Sequence, residues 1–89
     1  MQTLKYPSVS PLKNALIDIL AKADKPLKMM QIWEIYNQDI HSWIMCDMKS
    51  PLQITAALNR LVSMDSYRGN IPKIMKLKGG LFYMEKSNG

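Results

Sequence analysis

Five polar side chains in and just after "KSPLQITAALNRLV" (49–62) are of the types that read nucleic-acid bases: Gln53, Thr55, Asn59, Arg60 and Ser63. Gln and Asn can pair bidentately with adenine, Arg with guanine, and Ser or Thr with bases or phosphates. Their spacing puts them on the side of a helix opposite an apolar stripe, with Thr55 at the side. Ala56 is small enough on that face to allow close approach to a groove. No acid occurs in this helix before Asp65, so nothing on the face repels phosphate. The start of the helix, from Ser50 to Gln53, offers free amides and the positive end of the dipole. An amphipathic helix always has a polar face, however, and solvent alone would account for it.

Lysines form the second group. Lys73, Lys76 and Lys78 fall on a segment that reads as a β-hairpin, with Tyr83 beside Lys76 and Lys78 to make a basic, partly aromatic patch fit for phosphate contact, and Lys49 and Arg68 could extend it. Lysines on a hairpin can grip phosphates, and they can equally protect an exposed strand edge from pairing with another chain. The charge distribution favours a polyanion. Residues 1–48 hold five basic and five acidic side chains, whereas residues 49–89 hold seven and two, so the whole net charge of +5 lies in the second half.

Catalytic chemistry finds little to work with. His41 and Cys46 are the only good transition-metal ligands by type, one of each, without further partners. The acids are scattered singly, and no glycine-rich phosphate loop occurs. The residues predict a non-enzyme with no cofactor, no metal and no small-molecule substrate. A lone cysteine rules out an internal disulfide framework. Neither a signal-peptide run at the start nor a stretch of roughly 20 apolar residues is present. A cytoplasmic protein away from the membrane is expected, associated with the nucleoid if it binds DNA.

These side chains need elements to position them. With 89 residues, 47% of them hydrophobic, the chain can build one small core. Residues 1–9 read as a flexible arm, 10–86 as a single domain and 87–89 as a tail. Ser10-Pro11 opens a first helix, with Leu12, Ala15, Leu16, Ile19, Leu20 and Ala23 as its buried stripe. Pro26 ends the break after it, and Leu27 enters the core as a short extended link. The second helix spans roughly Met29 to Gln38 and buries Met29, Ile32, Ile35 and Tyr36, with Trp33 at the edge. Residues 39–49 make either one helical turn or a packed loop over one end of the core. The third helix repeats the Ser-Pro opening at Ser50-Pro51. Its stripe is Ile54, Ala57, Leu58, Leu61 and Val62 with Leu52 at the edge, and its end falls near Met64 to Ser66.

A Gly-Asn turn then leads into the hairpin. Placing Gly79-Gly80 at a two-residue turn pairs Lys78 with Leu81, Leu77 with Phe82, Lys76 with Tyr83 and Met75 with Met84. Met75, Leu77, Phe82 and Met84 would then face inward, and Lys76, Lys78, Leu81 and Tyr83 outward. The fold class is mainly α with a small β-hairpin: a winged helix, with a three-helix core and a two-stranded wing.

Four stretches carry a resemblance to a family. "ALIDILAKADKPLKMMQIWEIY" is similar to the opening helix, "x-P-L" break and second helix of HARE-type winged helix-turn-helix domains. "SPLQITAALNRLV" resembles their third helix, "GNIPKIMKL" the entry to their first wing strand, and "KGGLFYM" their closing glycine–aromatic hairpin. Such domains occur in restriction endonucleases, the bacterial RNA polymerase delta subunit and chromatin-associated proteins. The match covers about residues 12–85 and is carried mainly by core positions. It departs at "QDIHSWIMCDMK", where the family has a short glycine turn. The resemblance implies a regulator or DNA-recognition module that binds double-stranded DNA with its third helix in the major groove. Single winged helices often bind weakly, which leaves room for a homodimer or a partner protein. Some members of the family contact protein partners instead. The matching alternative here is an interaction module using a Met/Trp-rich surface at Ile40, Trp43, Met45 and Met48.

Overall fold

Ser10 starts the first helix, α1 (Pro11–Lys22), by accepting the Lys13 N–H on its Oγ at 3.3 Å. The computed structural model describes residues 4–43, 45–63 and 71–85. The arm expected over residues 1–9 is tied down where it is described. The Asn14 side chain accepts the Tyr6 N–H at 2.7 Å and donates to the Tyr6, Val9 and Ser10 carbonyls at 2.9, 3.2 and 3.0 Å. Val9 is buried against the core and Tyr6 packs beside it. Of the expected α1 stripe, Ala15, Leu16, Ile19 and Leu20 are buried, while Leu12 and the C-cap Ala23 are half-buried against the core. Ile17 joins the buried set, with Trp43 and Tyr6 on its side of the helix.

Leu27 does more than link. Leu27 and Lys28 form a two-residue strand, β1 (Leu27–Lys28), which runs directly into α2 (Met29–Gln38). The Lys28 N–H donates to Gln31 Oε1 at 2.9 Å, so a side chain inside the helix reaches back to cap its entry. Ile32 and Tyr36 are fully buried, and Met29, Trp33 and Ile35 pack around them. A single 3-10 turn at Ile40–Ser42 follows. Trp43 then stacks on Tyr36, with ring centroids 5.6 Å apart and planes 5° apart, and its Nε1 donates to Asp18 at 3.0 Å. The segment between the helices is thus the packed cover over one end of the core.

The third helix, α3 (Pro51–Ser63), buries Ile54, Ala57, Leu58 and Leu61. Leu52 departs from the expected stripe: it is 78% exposed. At about 100° per residue it lies nearly opposite the buried quartet, so only its apolar character argued for the core. The expected end of this helix near Met64 to Ser66 and the Gly-Asn turn lie outside the described residues, as do Ile44, Arg68 and the 87–89 tail.

Two further strands, β2 (Ile74–Leu77) and β3 (Leu81–Met84), complete an antiparallel sheet in the order β1-β3-β2. The hairpin register differs by one residue from the expected one. Ile74 pairs with Met84, Met75 with Tyr83, Lys76 with Phe82 and Leu77 with Leu81. The loop has three residues, Lys78 to Gly80, closed by the Gly80 N–H on the Leu77 carbonyl at 3.3 Å. Gly79 and Gly80 have φ of 87° and 76°, which side chains with a Cβ rarely adopt.

The slip exchanges the faces of β2 and leaves those of β3 as expected. Ile74, Lys76, Phe82 and Met84 share the inner face, while Met75, Leu77, Leu81 and Tyr83 share the outer one. Burying Ile74 explains the choice: it is 1% exposed, and the expected register left it unpaired. β1 covers the other edge of β3, pairing Leu27 with Phe82 and Lys28 with Leu81. The molecule is therefore a mainly-α domain of three helices with a small three-stranded antiparallel sheet, and α3 packs on both α2 and β2.

Candidate nucleic-acid interface

α3 is set in place by the chain that enters it. The Trp33 Nε1 donates to the Lys49 carbonyl at 2.7 Å, and the Asn37 side chain brackets the same residue, donating to its carbonyl and accepting its N–H at 3.4 Å. Two residues earlier, the buried Tyr36 donates its hydroxyl to the Asp47 carbonyl at 2.7 Å. Side chains of α2 thus fix the backbone just ahead of α3. Burial, with smaller contributions from Cys46 and Asp47, pushes the Tyr36 phenol above its ordinary range. The Cys46 thiol is also pushed up, mainly by burial, and its Sγ donates to the Pro11 carbonyl at 3.5 Å. A thiol held protonated in this way is a poor nucleophile.

The helix start is a capping box. The Gln53 N–H donates to Ser50 Oγ at 3.4 Å and the Ser50 N–H donates to Gln53 Oε1 at 2.9 Å. The Ser50 hydroxyl lies 3.3 Å from the same Oε1. Pro51 has no N–H, and the Ile54 N–H is taken by the Ser50 carbonyl at 3.2 Å. The expectation of several free amides waiting for an anion is therefore corrected: the first turn satisfies itself, leaving the Leu52 N–H. The S-x-x-Q spacing ahead of an apolar run carried this signal.

Two more of the candidate readers are engaged locally. Thr55 Oγ1 donates to the Pro51 carbonyl and Ser63 Oγ to the Arg60 carbonyl, both at 3.0 Å. Asn59 and Arg60 are exposed, and among the described residues neither side chain makes a hydrogen bond. The outward face of α3 thus presents Leu52, Ala56, Asn59 and Arg60. No acid interrupts it.

The basic residues are spread more widely than expected. Lys73, Lys76 and Lys78 are exposed. Lys76 is not grouped with Lys78 and Tyr83 on an outer face. It sits at the open end of the inner face, with Nζ 5.8 Å from the centre of the Phe82 ring. Lys78 lies in the loop, and Tyr83 is half-buried on the opposite face of the sheet. Lys49 forms an ion pair with Asp47 at 2.8 Å, which holds the Asp47 carboxyl below its usual range and offsets the lysine charge. Arg68 lies outside the described residues.

The surface expected to bind protein divides. Trp43 is committed to Tyr36 and Asp18, and Ile40 packs on the core. Met45 and Met48 are each 73% exposed. Among the described residues no three metal-binding side chains cluster, and no helix is long and apolar enough to cross a membrane. Compared with protein families, curated proteins and solved structures, the chain finds no match.

Proposed function

We propose that the chain is a winged helix-turn-helix domain that binds double-stranded DNA, with α3 in the major groove and the β2–β3 hairpin against the phosphate backbone. It would serve as a transcriptional regulator or as the recognition module of a larger assembly. The topology supports this: a short strand between the first two helices pairs with the hairpin that follows the third. The observation that carries the reading is the acid-free outward face of α3, where Asn59 and Arg60 are exposed and make no side-chain hydrogen bond among the described residues, on a helix that packs against β2; exposed Lys73, Lys76 and Lys78 lie just before, in and just after that strand. Phosphate contacts give such a surface affinity, and base contacts give it preference.

Selection from a random-sequence duplex pool tests this reading. The wild type should enrich a motif. Asn59→Ala and Arg60→Ala should each lose about 1–3 kcal/mol of discrimination at one position. A motif unchanged in both variants would remove α3 from the groove.

A second reading, a protein-interaction module, draws support from exposed Met45 and Met48. It predicts a partner whose binding survives Asn59→Ala and Arg60→Ala but not loss of those methionines. Trp43 would act there through packing, since its indole is held by Tyr36 and Asp18.

A further inference from the structure

We infer that α3 reads thymine methyl groups, so that the preferred duplex site contains A·T pairs contacted by Leu52, Ala56 and Asn59. This rests on the DNA-binding reading above and narrows it to a class of sequence. At about 100° per residue, Leu52, Ala56, Asn59 and Ser63 fall within an arc of about 60° centred on the outward face. The buried Ile54, Ala57, Leu58 and Leu61 occupy the opposite side. Ser63 spends its hydroxyl on the Arg60 carbonyl, and Gln53, at the margin, spends its amide oxygen on the Ser50 N–H. What remains along the centre is apolar at Leu52 and Ala56, then amide at Asn59.

Among the described residues Leu52 is the most exposed of the large hydrophobic side chains, at 78%, and it is the second residue of the helix. The first residues of a groove-reading helix are those that meet base edges. The apolar group on the major-groove edge is the thymine C5-methyl, and the bidentate partner of Asn is adenine. A guanine or cytosine edge against Leu52 would lose water and gain no hydrogen bond. A second copy of the chain is a poorer occupant of this face. It carries the same +5 charge, and exposed Arg60 on this helix, with exposed Lys73, Lys76 and Lys78 in and around the strand it packs on, favours a polyanion.

The test uses a duplex selected by the protein from a random-sequence pool, made once with dT and once with dU, which lacks only the methyl group. Wild-type protein should bind the dU form about fourfold more weakly for each contacted methyl, the value of one buried methyl group. Leu52→Ala should shrink the difference between the two forms by about fourfold, leaving only the share carried by Ala56. Asn59→Ala should weaken both while keeping their ratio. Leu52 is exposed, so unchanged thermal melting serves as the control for folding. Equal wild-type affinity for the dT and dU forms would overturn the inference and leave DNA binding standing. So would a dT/dU ratio unaffected by Leu52→Ala, or a change in monomer–dimer balance as that variant's only effect. Failure of wild-type protein to retain the random pool at low salt would overturn the DNA-binding reading and this inference with it.

Discussion

Tyr36 ties the core to the entry of α3, and its chemistry makes the tie sensitive to pH. Its ring is buried, stacks on Trp43 and donates its hydroxyl to the Asp47 carbonyl. Because the folded chain holds the phenol proton to higher pH than the unfolded chain, the native state binds more protons above about pH 10. Stability should therefore fall as pH rises through that range. Tyr36→Phe should cost about 1 kcal/mol near neutral pH, the usual value of one hydrogen bond, and should decline less steeply than wild type above pH 10. Urea midpoints of the two proteins across pH 7–11 check both statements. Parallel curves would show that Tyr36 titrates as it does in the unfolded chain. None of this was legible in the sequence beyond the placement of Tyr36 in the buried stripe. The partners of its hydroxyl and ring come from a segment whose path no local pattern sets.

At the scale of elements, α3 separates what folds the protein from what would bind DNA. Ser50→Ala removes one arm of the capping box and should lower stability by about 1 kcal/mol. Gln53→Glu keeps an acceptor for the Ser50 N–H and places a negative charge near the helix start, where the dipole favours it. That variant should melt at or slightly above the wild-type temperature yet bind duplex DNA more weakly, because it puts an acid on an acid-free face. Thermal melts and a duplex titration on the same samples would show whether the two properties part.

The helices were legible because Ser-Pro openings and single apolar stripes mark them. The hairpin register was not. A Gly-Gly pair suits both a two-residue and a three-residue loop, and "IMKL" and "LFYM" offer apolar residues to either face. Burial of Ile74, through contacts distant in sequence, decided between them. For the same reason the sequence grouped Lys76 with Tyr83, which the fold puts on opposite faces of the sheet. Of the α3 face, Asn59 and Arg60 were readable from spacing. The engagement of Thr55 and Ser63 with backbone carbonyls was not, since those residue types suit both roles.

For the whole molecule the central matter is where the charge lies. Residues 1–48 are balanced, and the net +5 belongs to the half that holds α3 and the hairpin. A duplex laid against that half would neutralise Arg60, Lys73, Lys76 and Lys78, while Lys49 is already paired with Asp47. The most direct test is binding to a random-sequence duplex across a series of salt concentrations. With three or four phosphates neutralised, the logarithm of the binding constant should fall against the logarithm of salt with a slope of roughly −3 to −4. Lys78→Ala should lower the magnitude of the slope by about 1. Binding absent at low salt, or present with a slope near zero and unmoved by Lys78→Ala, would contradict a phosphate-gripping wing.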